Sequence, residues 1–337
     1  MGRRGRNVEG ASGLLLVDKP AGISSAAVVA RVRRVLGGVK AGHTGTLDPF
    51  ATGLLPLGLG EGTKLAAYLT DSDKTYEGVI RLGVTTDTHD RTGTVTSTAV
   101  PPVVDEAMLA AIAAELGGEV LQVPPIYSAI KKGGRPMYEL ARRGEAPELD
   151  PRPVRVDRLE LGVAGPDRVT VAIDCSKGFY VRSLARDIGE RLGCGAVLES
   201  LRRMRVGRFR IEDAVALEAL EAPGGRDSAT AAMLGLNEGL AHLRGIELST
   251  SEAETLRLGR QTPLLRIAPG EPGERIRLAT GNELVAVAAS EGRFWILDRV
   301  FAAPPSGLLP CPPGEFVLPP AVSQMEEEER NEANRRD

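Results

Sequence analysis

Residues 38–56 form a glycine- and proline-rich stretch around a single carboxylate, Asp48. Pro49 disfavours the α-helical region for the residue before it, so an extended or turn conformation is expected for Asp48. Glycines at positions 42, 45 and 53 have no Cβ and would let a bulky ligand approach the backbone closely. Two interpretations are open on this pattern alone. Asp48 could cap a short helix that begins at Pro49, or it could carry out chemistry on a ligand.

Length and composition indicate a globular chain of about two domains. The chain has 337 residues, 42% hydrophobic and 26% charged, which is ordinary for globular proteins. The three cysteines, at 175, 194 and 311, lack CxxC spacing. We therefore expect neither a disulfide framework nor a zinc site, as in a reducing cytoplasm. No apolar run reaches the roughly 18 residues that span a bilayer, and the sequence predicts no secretory signal.

Charge is distributed unevenly along the chain. Residues 1–210 contain 30 Lys and Arg against 24 Asp and Glu, whereas residues 211–337 contain 12 against 21. The net charge of −3 therefore hides a basic first part and an acidic remainder. A basic excess in the part that holds Asp48 favours a nucleic-acid partner.

Basic residues in the first part are interleaved with tyrosines. They lie at 131, 132, 135, 142, 143, 152, 155 and 158 and between 202 and 210, near Tyr127 and Tyr138. A run of charges is usually a solvated surface. The number of cations in one part of the chain favours a track for a phosphate backbone.

Two further side chains fit a site built around a carboxylate. Tyr76 lies on a predicted strand, where a tyrosine usually belongs to the core, but beside a reactive carboxylate it would stack on a planar base. Arg182 lies where a predicted strand gives way to a helix, and an arginine there usually faces solvent. Arginine is also the residue suited to keep a partly buried Asp48 ionised.

A second cluster offers an alternative function. Together, the residues of this cluster could hold a divalent metal for phosphoester hydrolysis: His43, Asp48, Asp87, His89 and Asp90. No HxH or HxxxH spacing places two ligands on one element, which counts against a metal site.

Apolar periodicity predicts the main elements. Helices are expected over 26–36, 105–116, 137–143 and 183–192, and strands over 13–17, 74–83, 154–161 and 169–175. From residue 245 the pattern changes to short strands with frequent Gly and Pro, which indicates a small β domain. The basic, glycine-rich start and the proline-rich, then charged, end predict flexible termini.

Six motifs, in this order, resemble the bacterial tRNA pseudouridine synthase B family. They are GLLLVDKP at 13–20, AGHTGTLDPFATG at 41–53, KTY at 74–76, PPIYSAIK at 124–131, CSKGFYVR at 175–182 and LRR at 201–203. The resemblance implies an α+β pseudouridine synthase fold, with a mixed, mainly antiparallel sheet flanked by helices and loops. It also implies a small C-terminal β domain like PUA (pseudouridine synthase and archaeosine transglycosylase) domains. The expected divisions are a flexible N-terminus (1–11), a catalytic domain (12–240), the PUA-like domain (241–303) and a disordered tail (304–337).

The resemblance implies a specific reaction. Uridine 55 in the T-loop of tRNA would be isomerised to pseudouridine: the N1–C1′ bond breaks, the base turns, and C5 bonds to C1′. The base would have to be flipped into a pocket. The family implies no metal, nucleotide or organic cofactor, and we expect a cytoplasmic monomer whose partner is the T-arm of tRNA.

Eight residues receive roles from the same resemblance. Asp48 would be the catalytic carboxylate, Arg182 would pair with it and keep it ionised, and Tyr76 would stack on the target base and handle the C5 proton. The implied binding residues are Lys19 under the active-site loop, His43 against a T-loop base, Leu201 beneath the target base, Asp90 and Lys131.

A rival interpretation is an RNA-binding protein that grips the T-loop and helps tRNA to fold, with catalysis secondary. Its basis in the sequence is the broad basic surface together with the appended β domain. Replacing Asp48 separates the two functions, because only the enzyme needs the carboxylate.

Overall fold

The computed structural model describes residues 12–127, 131–132, 135–136 and 149–303. The predictions for both termini and for the helix over 137–143 lie outside these residues. The strands are β1 (Gly13–Lys19), β2 (Ala41–His43), β3 (Thr52–Leu59), β4 (Lys74–Leu82), β5 (Val84–Thr86), β6 (Val95–Thr98), β7 (Gly118–Gln122), β8 (Lys131–Lys132), β9 (Arg135–Pro136), β10 (Arg152–Gly165), β11 (Arg168–Cys175), β12 (Ala196–Val206), β13 (Phe209–Arg210), β14 (Val215–Ala216), β15 (Arg244–Glu247), β16 (Arg275–Thr280), β17 (Glu283–Ser290) and β18 (Trp295–Val300).

Helices flank these strands. They are α1 (Ser25–Val35), α2 (Ala66–Leu69), α3 (Glu106–Glu115), α4 (Val181–Arg191), α5 (Leu217–Glu221), α6 (Gly225–Ala231), α7 (Leu236–Gly239) and α8 (Thr250–Arg257). Helices α1 and α3 begin at capping side chains, since Ser24 accepts from the amide of Ala27 (3.1 Å) and Asp105 from that of Met108 (2.8 Å). No helix in the described ranges is long and apolar enough to cross a membrane.

One large mixed sheet organises the first part of the chain. Its strand order is β14-β1-β3-β12-β4-β11-β10-β7, with β13 on β12 and β2 on β3. The pairs β1–β14 and β12–β3 are parallel, and the other pairs in this sheet are antiparallel. The predicted α+β class with a mainly antiparallel sheet is confirmed.

Three apolar cores cover the faces of this sheet. In the first core, α3 and α4 pack on β4, β10, β11 and β12. Strand β1 is buried on both faces, because Leu14 and Leu16 enter the second core while Leu15 and Val17 enter the third, against α1. This explains why β1 is a continuous apolar run rather than an alternating one.

The C-terminal β region is a four-stranded sheet in the order β15-β16-β17-β18, with an apolar core of its own against α8. The sheet is joined to the first part of the chain: Leu284, Val287 and Phe301 are buried in the second core with Leu14 and Leu16. The predicted C-terminal β sheet is therefore present, and it shares apolar surface with the large sheet.

Phe301 is the residue that tests this junction. Its ring is fully buried in the second core, and Phe301→Ala is expected to lower the free energy of unfolding by about 3–5 kcal/mol, because a cavity replaces the ring. Phe294, 56% exposed, is the matched control. Chemical denaturation measures both variants. Equal, small losses would show that the ring at 301 does not join the two parts.

Candidate active site

Asp48 lies in the loop that joins β2 to β3. Ser25 holds this loop, because its hydroxyl donates to the Leu47 carbonyl (3.0 Å) and accepts from the Leu47 amide (2.8 Å). Leu47 and Phe50, on either side of Asp48, are buried in the first core. These anchors present the Asp48 side chain at the edge of the core, where 33% of it is exposed.

No helix begins at Asp48. Pro49 and Phe50 form a turn, which the amide of Ala51 closes by donating to the Asp48 carbonyl (3.1 Å). The turn leads at once into β3. The interpretation of Asp48 as a helix cap is therefore wrong.

Arg182 is the buried partner of Asp48. Its side chain is 5% exposed, with Nε 2.9 Å from Oδ2 and Nη2 3.2 Å from Oδ1 of Asp48. The remaining donors reach the carbonyls of Thr88 (Nη1, 3.2 Å) and Tyr127 (Nη2, 3.0 Å). The two-pronged pairing fixes the carboxylate in one orientation and favours its ionised form.

Asp90 lies behind Arg182. It is 3% exposed, and its Oδ2 is 3.6 Å from Nη1 of Arg182. Its Oδ1 accepts from the hydroxyl of Thr88 (3.0 Å) and from the amide and hydroxyl of Thr92 (2.9 and 2.5 Å). His89, which lies between Thr88 and Asp90 in the sequence, has a φ of 58°, a left-handed conformation that is uncommon outside glycine. A tight turn thus holds the carboxylate of Asp90 against the guanidinium of Arg182. In this position Asp90 is better placed to hold Arg182 than to contact a substrate.

Lys19 is fully buried beneath the loop. Its Nζ donates to the carbonyls of Pro20 (2.9 Å), Pro49 (3.3 Å) and Ala51 (2.6 Å). Burial lowers the pKa of Lys19 to about 8, although the charge of Asp48 opposes this change. The lysine ties the C-terminal side of the loop to β1.

Tyr76 and Leu201 lie on the neighbouring strands β4 and β12. Leu201 is buried in the first core and Tyr76 packs against that core. Gly78 lies opposite Leu201, beside a bulge of β12. Burial raises the pKa of the Tyr76 hydroxyl above its ordinary value of 10.0, so at neutral pH the hydroxyl carries its proton.

His43 lies at the end of β2. Its Nδ1 is buried without a hydrogen-bond partner among the described residues. Burial, and then the charge of Arg203, lower the pKa of His43 below 6.5, so the imidazole is neutral at pH 7. Lys131 lies in the short strand β8, and its side chain is outside the described part of the chain.

Arg203 was not predicted as a site residue. Its side chain is 1% exposed and donates to two carbonyls of the loop that carries Asp48. The sequence held a signal for it: residues two apart on a strand share a face. Arg203 therefore shares the buried face of Leu201.

Burial also shifts the ionisation of Asp48. Desolvation by the surrounding loops raises the pKa of Asp48 above its ordinary 3.8, and Asp90 adds to the rise, whereas Arg182 and Lys19 oppose it. Asp48 thus binds a proton more readily than a carboxylate in water does. The fixed cation that pairs with it is Arg182.

The residues of the alternative metal site do not come together as ligands. Within the ranges that the structure describes, no three His, Cys, Asp or Glu side chains are grouped so that they could hold a metal ion. Asp48 and Asp90 share Arg182 instead, and Asp87 accepts from the amide of Thr94 (2.8 Å).

Solved structures with this fold define the class of the protein. A chain in a crystal structure of a Cbf5-Nop10-Gar1 complex matches with a TM-score of 0.67 and 25% identity, over 86% of this chain and 85% of that chain. A structure of an H/ACA RNP bound to a substrate RNA containing 2′-deoxyuridine matches with a TM-score of 0.65 at 24% identity, over 86% and 85%. The fold is that of the pseudouridine synthases.

Sequence comparison identifies the family. The profile described as "TruB family pseudouridylate synthase (N terminal domain)" matches residues 33–181, and "tRNA pseudouridylate synthase B C-terminal domain" matches residues 182–233. The tRNA pseudouridine synthase B of Aromatoleum aromaticum is 50% identical over 74% of this chain and 80% of its own length, and that of Geobacter sulfurreducens is 40% identical over 85% and 96%. The chain belongs to the TruB family of pseudouridylate synthases, as its motifs predicted. It is an isomerase.

Proposed function

We propose that this chain isomerises uridine 55 in the T-loop of tRNA to pseudouridine, as a monomer in the cytoplasm. One observation carries the proposal: the partly exposed carboxylate of Asp48 is held at two atoms by the buried guanidinium of Arg182. A relative named tRNA pseudouridine synthase B that is 50% identical supports tRNA as the substrate.

A cleft opens beside the Asp48 loop, although Asp48, Tyr76 and Arg182 are not among its wall residues. Its volume is about 810 Å³ and its walls include Phe50, Thr52 and Leu201. Typical sites for small ligands measure about 300–1,000 Å³, so the volume of this cleft suffices for a nucleoside beside the loop. The cleft carries arginines Arg91 and Arg202 but also two glutamates. We therefore expect the basic excess of residues 1–210 as a whole, rather than the residues of the cleft, to attract the RNA backbone.

The mechanism follows from the placement of Asp48. A uridine inside a folded T-loop is out of reach of side chains, so the base must be flipped, at a cost of about a few kcal/mol. The N1–C1′ bond then breaks, the base rotates, C5 bonds to C1′, and the proton of C5 is lost while N1 gains one. Attack on C6, attack on C1′ and elimination each require one ionised carboxylate beside the base, and Arg182 favours that form in Asp48. The atoms and electrons of uridine are conserved, so no cofactor is consumed.

Site mapping tests the proposal. The wild-type protein is incubated with a tRNA transcript and with a control transcript that has cytidine at position 55. Pseudouridine is located by mass spectrometry after a chemical derivatisation that tags pseudouridine and not uridine, because the isomerisation itself leaves the mass unchanged. We expect pseudouridine at position 55 of the first transcript alone. Pseudouridine elsewhere, or none, would overturn the proposal. The same reaction in EDTA tests the metal alternative, which predicts loss of activity.

Asp48 also predicts a pH dependence. Because the carboxylate is the reactive form and its pKa is raised, the single-turnover rate should fall as the pH drops through a midpoint above 3.8. Asp90→Asn removes a negative charge beside Asp48 and should move that midpoint down. A midpoint at or below 3.8 in the wild type, or one that Asp90→Asn leaves in place, would contradict the prediction.

A further inference from the structure

Arg203 joins both sides of the catalytic loop. Its Nε donates to the carbonyl of Leu54 (2.7 Å), Nη1 to that of Thr46 (3.3 Å) and Nη2 to that of Gly45 (3.2 Å). Two of these acceptors precede Asp48 in the sequence and the third follows it. A single planar group thus fixes the two ends of the segment that presents the carboxylate.

The charge of Arg203 is costly where it lies. The side chain is 1% exposed, and no Asp or Glu in the described ranges forms an ion pair with it. A buried charge without a counter-ion pays a large desolvation penalty unless hydrogen bonds compensate it. An apolar side chain would occupy this strand position without that desolvation penalty. The guanidinium therefore does more than fill space in the core.

Tyr76 is the cross-strand neighbour of Arg203. The two residues lie opposite each other in the β4–β12 ladder. Burial raises the pKa of the Tyr76 hydroxyl, and the charge of Arg203 opposes that rise. On the other side, β12 approaches β3 so closely that a Cβ on Gly53 would lie 2.4 Å from the Arg203 carbonyl oxygen.

We infer that Arg203 is a positioning residue that fixes the Asp48 loop relative to Tyr76 on the neighbouring strand β4. It acts on Asp48 through the backbone carbonyls that it binds and on the Tyr76 hydroxyl through its charge. It is too buried to contact the RNA. The inference rests on the proposed function, because it gives Arg203 a part in the same reaction.

Arg203→Met and Arg203→Lys test the inference in single-turnover reactions with tRNA. Arg203→Met should lower the rate by about 100-fold, since a misplacement of about 1 Å costs that much, while the dissociation constant for tRNA stays near that of the wild type. Arg203→Lys keeps the charge and one carbonyl bond, and should recover part of the rate. The control is Arg277→Met, because Arg277 also donates to a backbone carbonyl (Leu243, 3.1 Å), but in the C-terminal sheet; its rate should not change.

A double-mutant cycle with Tyr76→Phe separates positioning from general loss of structure. If Arg203 acts partly through the hydroxyl, Arg203→Lys should cost less in the Tyr76→Phe background than in the wild type. Equal costs would remove Tyr76 from the inference. If folded Arg203→Lys, and Arg203→Met where it folds, react at the wild-type rate, the inference is overturned while the proposed function stands. If the wild type forms no pseudouridine, it is the proposed function that fails.

Discussion

Asp48→Asn is expected to abolish pseudouridine formation while tRNA binding persists. The carboxamide has nearly the same shape, but it cannot attack the nucleotide or carry the negative charge that the reaction needs. Removal of a residue that reacts covalently typically costs about 10⁴-fold or more in turnover. Affinity should change little, because we expect the RNA backbone to be bound by the wider basic surface rather than by one loop. Single-turnover kinetics and filter binding measure the two quantities separately.

Asp105→Asn is the matched control for this substitution. Asp105 caps α3 by accepting from the Met108 amide at 2.8 Å, and asparagine is an equally good cap. The control should therefore keep full activity. If Asp48→Asn kept wild-type turnover as well, Asp48 would not be the catalytic carboxylate. If Asp48→Asn lost isomerisation but still promoted tRNA refolding, the two activities proposed for the family would be separate in this chain.

Local features of the fold were predictable because they depend on neighbours in the sequence. Ser24 and Asp105 cap the helices that the periodicity predicted, and the apolar run from Leu14 to Val17 forms a strand buried on both faces. The turn conformation at Asp48 followed from Pro49. The choice between a cap and a reactive carboxylate did not, because both place an Asp before a proline.

The contacts that build the site were not predictable from spacing. Asp48 and Arg182 are 134 residues apart in the sequence. The need of a buried carboxylate for a cation made Arg182 a candidate partner, but only the resemblance to a family assigned the pair. Asp90 was assigned to substrate binding, yet its carboxylate is directed at Arg182 and two threonines, a contact that depends on the 88–92 turn. Arg203 lay in a run of arginines that predicted a solvated or RNA-binding surface. Its spacing of two residues from Leu201 indicated a shared strand face, but which face is buried depends on β12 pairing with both β3 and β4.

Arg182→Lys is expected to lower turnover by about 10²-fold or more. Lysine keeps the charge but concentrates it at one nitrogen, whereas the guanidinium holds two oxygens of Asp48 and also reaches Asp90, Thr88 and Tyr127. One ammonium cannot span these partners. Breaking a buried ion pair typically costs about 3 kcal/mol or more, which corresponds to about 10²-fold in rate. Single-turnover kinetics at saturating enzyme give the effect on the chemical step.

Arg186→Lys makes the same chemical change one turn later in α4. Arg186 pairs with Asp187 at 2.6 Å and is 22% exposed, so a lysine there stays solvated and near its carboxylate. A general weakening of the helix would slow both variants. Both variants replace a planar guanidinium in the same helix. If turnover falls only in Arg182→Lys, the fall is therefore due to the two-atom pairing between Arg182 and Asp48. Near-wild-type turnover in Arg182→Lys would instead show that a point charge suffices and that the orientation of the carboxylate is set by the loop and its two buried cations, Lys19 and Arg203.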